Sequence, residues 1–121
     1  MKKKLGLYIH IPFCERKCAY CDFYSVSEYY INDLEKYTLR LIKDIEKSAA
    51  QYQHFNFSTI YFGGGTPSLL NASQLKRIMQ AIKADFRFNT EIETEISLEA
   101  NPATLKAEKA RSFYEIGINR I

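Results

Sequence analysis

Three cysteines near the start of the chain are the residues best suited to do chemistry. Cys14, Cys18 and Cys21 are spaced C-x3-C-x2-C and are the only cysteines in the sequence. Thiolate sulfur is a preferred ligand for iron–sulfur clusters and for zinc. A structural zinc site takes four ligands, usually from two cysteine pairs, and His10 would have to reach forward over Pro12 to supply the fourth. A cubane cluster on three thiolates keeps one iron open to a small molecule, so the spacing favours an iron–sulfur cluster, with zinc as the alternative.

The number and placement of the cysteines also indicate a compartment. An odd count confined to residues 14–21 does not suit a disulfide framework, so we expect a reducing compartment such as the cytosol. The net charge is only +3, and the basic block at residues 2–4 is interpreted as a solvated terminus rather than a nucleic-acid contact. No segment approaches the ~18 apolar residues of a membrane span, and none resembles a secretory signal. The sequence therefore predicts a cytoplasmic protein with no nucleic-acid partner and no membrane span.

Alternating strand and helix patterns place the cysteines directly after a first strand. Strands are predicted at residues 5–11, 58–62 and 95–100, and a fourth begins at 118–121. Helices are predicted at about 32–50, 73–86 and 105–116. Asn32 and Glu35 are predicted to form a capping box at the start of the first helix, and Gly117 is expected to end the third.

This order of elements predicts an α/β fold with parallel βα repeats and right-handed crossovers. Strands of a parallel sheet are normally apolar on both faces, because helices cover both. The second face here carries polar side chains instead, namely Tyr8, His10, Tyr61, Ser97 and Glu99. A barrel with a polar lumen and a cofactor inside would account for them. The cysteine loop, the glycine run at 63–65 and the loop at 101–102 also follow the carboxyl ends of strands, which form the functional end of α/β barrels.

Two candidate binding features lie at strand ends. Gly63, Gly64, Gly65 and Thr66, called here the glycine-rich segment, follow the second strand. Glycine permits positive φ and lets a ligand approach the backbone closely, although a tight turn is the alternative interpretation. Glu99 is either an exposed edge carboxylate or a hydrogen-bond acceptor of the kind found at strand ends in nucleotide sites.

The cysteine spacing after a first strand resembles the motif of the radical S-adenosylmethionine (SAM) superfamily. That resemblance implies a [4Fe–4S] cluster on Cys14, Cys18 and Cys21, with SAM as the second cofactor. In the superfamily the amino and carboxylate groups of SAM bind the fourth iron. An electron from the cluster then cleaves the sulfonium to give a 5′-deoxyadenosyl radical, while the protein orients the cofactors and excludes water and oxygen.

The resemblance also implies which residues contact SAM. The glycine-rich segment resembles the superfamily's cradle for the SAM amino group, and Glu99 would accept hydrogen bonds from the ribose. Tyr8 would contact SAM through its ring or hydroxyl, and Tyr20 would stack on the adenine or pack over the cluster. His10 is expected to be a hydrogen-bonded interior histidine with no catalytic role. The implied SAM contacts are therefore Tyr8, Tyr20, Gly64, Gly65, Thr66 and Glu99.

Longer segments are similar to one group within the superfamily. Residues 7–14, 61–68, 97–102 and 117–121 resemble the oxygen-independent coproporphyrinogen III oxidases and their relatives, in the same order along the chain. The oxidases have a fourth cysteine where this sequence has Phe23, and a longer segment before the first strand. Both departures resemble the haem chaperone branch, which implies haem as a further ligand. The alternative is the oxidase, which decarboxylates the propionates of coproporphyrinogen III to vinyls. Either branch implies an electron donor such as a flavodoxin or ferredoxin.

Three and a half βα units do not close a barrel, and an unpaired strand edge is prone to aggregation. We therefore interpret residues 1–121 as the N-terminal part of a radical SAM core domain, a partial TIM-type barrel whose remainder lies elsewhere. The isolated 121-residue chain is expected to be poorly soluble. Phe23→Cys is not expected to create oxidase activity, because the substrate site is built elsewhere.

Overall fold

A computed structural model describes residues 4–13, 31–88 and 93–121. The strands are β1 (Lys4–Ile11), β2 (Asn56–Gly64), β3 (Arg87–Phe88) and β4 (Glu95–Leu98). The helices are α1 (Ile31–Ala49), α2 (Ala72–Asp85) and α3 (Ala107–Ile116), with short 3-10 turns at Ala50–Tyr52 and Pro67–Leu69. In the described part of the chain, no helix is long and apolar enough to cross a membrane.

The strands form one parallel sheet centred on β2. Strand β1 pairs with one edge of β2, while β3 and β4 pair with successive parts of its other edge. The fourth strand predicted at 118–121 is reduced to a parallel bridge between Ser97 and Arg120. The predicted α/β fold with a parallel sheet is confirmed.

One irregularity in β2 decides which of its side chains face the core. Leu5 of β1 pairs with Phe57, but the next residue, Gly6, pairs with Thr59, so Ser58 is an extra residue in β2. An extra residue reverses the alternation of side chains that follows it. Phe57 and Ile60 therefore both lie in the core, at 2% and 1% exposure, although they are three residues apart.

The core lies between one face of the sheet and the three helices. Its strand residues alternate along β1 and β4 as predicted, with Ile9, Ile11, Ile96 and Leu98 buried. The helices contribute Leu34, Ile45, Leu75, Ile78, Met79, Ile82 and Phe113. Burial of these side chains, at roughly 25 cal/mol per Å² of apolar surface, fixes the helices on this face.

Helix ends agree with the sequence at α3 but not at α1. Gly117 ends α3 with φ 135°, as predicted. The capping box predicted at the start of α1 is wrong, because Asn32 already lies inside the helix. Glu35 instead accepts hydrogen bonds from Arg77 Nη1 and Nη2 at 2.8 and 2.7 Å. A full positive charge on α2 attracts the carboxylate more strongly than a neutral backbone N–H would.

The capping box of this fold lies instead at the start of α2. Asn71 Oδ1 accepts from the Gln74 N–H at 2.7 Å, and Gln74 Oε1 accepts from the Asn71 N–H at 2.9 Å. Gln74 Nε2 also donates to Glu35 Oε1 at 3.2 Å. The same side chain thus caps α2 and joins it to α1.

The last strand and helix are shorter than predicted because the chain turns between them. Strand β4 ends at Leu98, although the Glu99 N–H still donates to the Phe62 carbonyl at 2.9 Å. Asn101 then forms a turn, in which its Oδ1 accepts from Ala103 N–H at 3.0 Å. Glu99 is consequently held at the carboxyl edge of the sheet, one residue beyond β4.

Candidate functional site

Polar and aromatic side chains cover the face of the sheet opposite the described helices. Tyr8 and Tyr61 are 57% and 42% exposed, and His10 and Glu99 are also exposed. Ser97 lies on the same face but is buried at 8% exposure. The polar second face predicted from the strand pattern is therefore present, and its members gather toward the carboxyl ends of β1, β2 and β4.

Glu99 is fixed to β2 through both of its carboxylate oxygens. The Tyr61 hydroxyl donates to Oε2 at 2.6 Å, and the Gly64 backbone N–H donates to Oε1 at 3.0 Å. The hydrogen bond to Glu99 raises the pKa of Tyr61 above its ordinary value, because the bond requires the protonated phenol. A carboxylate can accept about four hydrogen bonds, so acceptor positions remain for a ligand.

Tyr8 and His10 extend the site along β1. The Tyr8 hydroxyl and His10 Nδ1 are hydrogen-bonded at 3.0 Å. The rings of Tyr8 and Tyr61 stack, with centroids 6.0 Å apart and planes inclined by 20°. His10 is hydrogen-bonded as expected, but it lies on the exposed face and is not interior.

Two glycines let these side chains lie directly on the backbone of β2. A Cβ atom at Gly63 would lie 2.8 Å from Tyr61 Cε1, 3.0 Å from Tyr8 Cε1 and 3.1 Å from Glu99 Oε1. Gly64 has φ 111°, and a Cβ there would lie 2.8 Å from the His10 ring. Side chains at either position would displace the residues that form the site.

The glycine-rich segment continues beside the chain that leads to the cysteines. The Gly65 N–H donates to the Ile11 carbonyl at 2.8 Å, and the Thr66 N–H donates to the Phe13 carbonyl at 2.6 Å. Phe13 is buried and packs edge-to-face on Tyr37, with ring centroids 5.5 Å apart. The last described residue before the cysteines is therefore anchored to the glycine-rich segment.

The loops after β2 and β4 are also joined to each other. The Asn101 N–H donates to Ser68 Oγ at 3.1 Å, the Ser68 and Thr104 hydroxyls are hydrogen-bonded, and the Lys109 ammonium donates to the Ser68 carbonyl. Burial lowers the pKa of Lys109, because it disfavours the charged form. These contacts hold the loop that follows Glu99 against Ser68, which lies two residues after the glycine-rich segment.

A cavity of about 300 Å³ opens beside Glu99 on the exposed face of the sheet. Tyr61, Ser97 and Arg120 contribute to its lining. Arg120 Nη1 is paired with Glu95 Oε1 at 2.5 Å, so its charge is balanced locally. A larger groove of about 760 Å³ lies between α2 and α3 and contains none of the predicted site residues.

The arrangement is suited to binding a ligand at the carboxyl edge of the sheet. An oriented carboxylate beside aromatic rings favours a cationic or hydroxyl-bearing ligand. Among the described residues, no group of three or more histidine, cysteine, aspartate or glutamate side chains could hold a metal ion.

The structure brings together part of the predicted site. Tyr8, Gly64 and Glu99 converge, and Gly65 and Thr66 pair with the chain beside them. Cys14, Cys18, Cys21, Tyr20 and Phe23 lie outside the described residues, so their roles stay predictions.

Tyr61 belongs to the site although it is not among the predicted SAM contacts. Strand alternation predicts that Tyr61 lies on the polar face, and the segment at 61–68 resembles the oxidase group, but neither signal assigns Tyr61 a contact. Its bond to Glu99 joins residues 38 positions apart in the sequence and depends on the register between β2 and β4.

Comparison with known proteins identifies relatives that share most of this chain. The sequence model of the radical SAM superfamily matches residues 8–121. A haem chaperone HemW of Buchnera aphidicola is 44% identical over 117 residues, which are 96% of this chain and 30% of that protein. HemW of Escherichia coli is 38% identical over 117 residues, covering 97% of this chain and 30% of that protein. The oxygen-independent coproporphyrinogen III oxidase of Salmonella typhimurium is 31% identical over 120 residues, covering 99% of this chain and 26% of that protein.

A solved structure matches the fold over the same range. The coproporphyrinogen III oxidase HemN of Escherichia coli, described as a radical SAM enzyme, superposes with a TM-score of 0.89 at 30% identity. The match covers 98% of this chain and 27% of that one. The chain thus spans about 30% of the length of the haem chaperones it matches.

Proposed function

The chain belongs to the radical SAM superfamily, and we propose that it is the N-terminal part of a haem chaperone that retains a [4Fe–4S] cluster and SAM. The proposal draws on relatives that cover nearly all of this chain while extending well beyond it. Its domain assignment is that residues 1–121 form the first part of a radical SAM core, in a protein of the cytosol.

The cluster would be held by Cys14, Cys18 and Cys21. Support comes from the described residues at the edge of that segment, because Phe13 is buried and its carbonyl accepts from the Thr66 N–H. Phe13, which precedes Cys14 in the sequence, therefore lies beside the glycine-rich segment. When bound, the cluster and SAM supply one-electron radical chemistry that amino-acid side chains do not.

SAM would be held on the exposed face at the carboxyl edge of the sheet. The observation that carries this assignment is the Glu99 carboxylate, oriented by Tyr61 and by the Gly64 N–H, with acceptor capacity left over. The glycines leave the space that side chains would fill, and the ring of Tyr8 offers an aromatic surface. These groups suit a ligand with ammonium, sulfonium and ribose hydroxyl groups. Tyr20 is proposed as a further contact, to the adenine.

Two features favour the haem chaperone over the oxidase. The similar haem chaperones are 38% to 44% identical, whereas the similar oxidases are 30% to 31% identical. Phe23 also stands where the oxidase resemblance predicts a fourth cysteine. Haem would be the cargo of the chaperone, and a flavodoxin or ferredoxin would donate the electron.

An anaerobic assay of the full-length protein separates the two functions. The reconstituted protein is mixed with haem in a spectroscopic titration, and in parallel with coproporphyrinogen III, SAM and a reductant. We expect stoichiometric haem binding and no protoporphyrinogen. Formation of protoporphyrinogen with repeated turnover would contradict the chaperone function and support the oxidase.

A further inference from the structure

The hydroxyl of Tyr61 donates a hydrogen bond to the carboxylate assigned to SAM. It donates to Glu99 Oε2 at 2.6 Å, an ordinary length for a hydroxyl bonded to a carboxylate, and such a charge-assisted bond is stronger than one between neutral groups. We propose that Tyr61 is a positioning residue, which fixes the Glu99 carboxylate in the orientation that receives SAM. This inference rests on the proposed function and extends it to a residue that does not itself have to touch the cofactor.

The geometry around Glu99 explains why a second donor is needed. Glu99 lies one residue beyond β4, where its backbone N–H still bonds to Phe62 but its side chain is exposed. An exposed glutamate otherwise samples several rotamers. The Gly64 N–H occupies Oε1, and one bond alone permits rotation about it. A second bond from Tyr61 to Oε2 fixes both oxygens against β2.

Tyr61 is itself held in place by its neighbours. Its ring stacks on the Tyr8 ring with planes inclined by 20°. Both rings lie over Gly63, where a Cβ would come within 3.0 Å of either one. Because the ring is fixed on two sides, its hydroxyl is directed at Glu99 without further loss of side-chain freedom.

Because the Tyr61 hydroxyl is neutral, it affects the binding of a cationic ligand at Glu99 differently from a charged donor. A phenol is neutral, so it orients the carboxylate without cancelling its negative charge. Arg120, which lines the same cavity, is paired with Glu95 instead. The full charge of Glu99 therefore stays available to a cationic ligand such as SAM.

The test is a double-mutant cycle on SAM affinity in the anaerobically reconstituted full-length protein. Tyr61→Phe keeps the ring and removes only the hydroxyl, and it is expected to raise the SAM Kd about 5- to 10-fold. In a Glu99→Gln background the same change is expected to alter Kd less than about 2-fold. Tyr114→Phe, which removes a hydroxyl from a side chain that is 72% exposed on α3, serves as the matched control and should leave Kd unchanged.

A second readout needs neither cluster nor SAM. Tyrosine is labelled with ¹³C at Cζ, and the apo protein is titrated through alkaline pH, with Tyr61→Phe identifying the Tyr61 signal. The pKa of Tyr61 is raised by its bond to Glu99, so Glu99→Gln is expected to lower it. A Tyr61 titration that Glu99→Gln does not move would overturn the contact.

The possible outcomes distinguish a failure of the positioning role of Tyr61 from a failure of the proposed SAM-binding function. If the wild-type protein fails to bind SAM, the proposed function is wrong, and the inference fails with it. If the wild-type protein binds SAM and Tyr61→Phe binds equally well, only the positioning role is refuted. An equal loss from Tyr61→Phe in both backgrounds would likewise refute it, since Tyr61 would then act independently of Glu99.

Discussion

At the scale of single residues, the site depends on how closely three side chains lie on the backbone of β2. Tyr8, Tyr61 and Glu99 meet above Gly63, and each approaches the position of an absent Cβ within about 3 Å. The strand pattern predicted that Tyr8 and Glu99 share a face. It did not predict their separation, because distances across a sheet are set by register and not by the local sequence.

Gly63→Ala tests this packing directly. Gly63 does not have positive φ, so alanine is compatible with the backbone, and the added Cβ must move Tyr61, Tyr8 or Glu99. We expect SAM binding by the full-length protein to weaken about 10-fold or more, while stability falls by less than about 1 kcal/mol because the displaced side chains are exposed. Equilibrium dialysis with SAM and denaturant unfolding measure the two effects.

Gly117→Ala is the matched control for that substitution. Gly117 has φ 135° at the end of α3, and its Cβ would face Ile96 and Met79 in the core and not the site. Alanine there is expected to cost about 1 kcal/mol or more of stability and leave SAM affinity unchanged. Equal effects of both substitutions on SAM affinity would contradict the packing role of Gly63.

At the scale of elements, one ion pair across α1 and α2 fixes the helix that follows the cysteine segment. Glu35 and Arg77 are only about one-third exposed and form two hydrogen bonds at 2.7 and 2.8 Å. Local sequence predicted a cap for Glu35, because Asn32 precedes it at the right spacing. The actual partner lies 42 residues away on a helix whose position depends on core packing, so the local pattern could not identify it.

Glu35→Gln is expected to change the pH dependence of the free energy of unfolding at acid pH. Hydrogen bonds from Arg77, then from Gln74, lower the pKa of Glu35 to about 2 from 4.5. A carboxyl whose folded pKa is depressed stabilises the fold above its unfolded pKa and loses that contribution as pH falls toward the folded value. We therefore expect the wild-type protein to lose more stability than Glu35→Gln between pH 4.5 and about 2, measured by thermal unfolding.

Asp44→Asn provides the comparison on the same helix. Arg40 and Asp44 form an exposed pair at 3.5 Å, with side chains 77% and 59% exposed. Exposed pairs of this kind contribute little, so the substitution should change stability by less than about 0.5 kcal/mol. A parallel acid profile for wild type and Glu35→Gln would show that the α1–α2 pair does not stabilise the fold.

At the scale of the whole molecule, the sequence was sufficient for the order of the three helices and of strands β1, β2 and β4, and for the two faces of the sheet. The alternation in β1 and β4 predicted which side chains enter the core, and Gly117 marked the end of α3 correctly. The extra residue Ser58 was not predictable, because a bulge exists only relative to its partner strand. Strand β3 is two residues long and carries no periodic signal.

We propose that the exposed edge of this sheet holds SAM beside a cluster on Cys14, Cys18 and Cys21. The most direct measurement is the electron paramagnetic resonance spectrum of the anaerobically reduced full-length protein, recorded as SAM is added. We predict a [4Fe–4S] signal that SAM alters, and in Glu99→Ala the same signal with at least about 10-fold more SAM needed to alter it. A wild-type signal that SAM leaves unchanged, or a Glu99→Ala protein that responds at the same SAM concentration, would contradict a SAM site at Glu99.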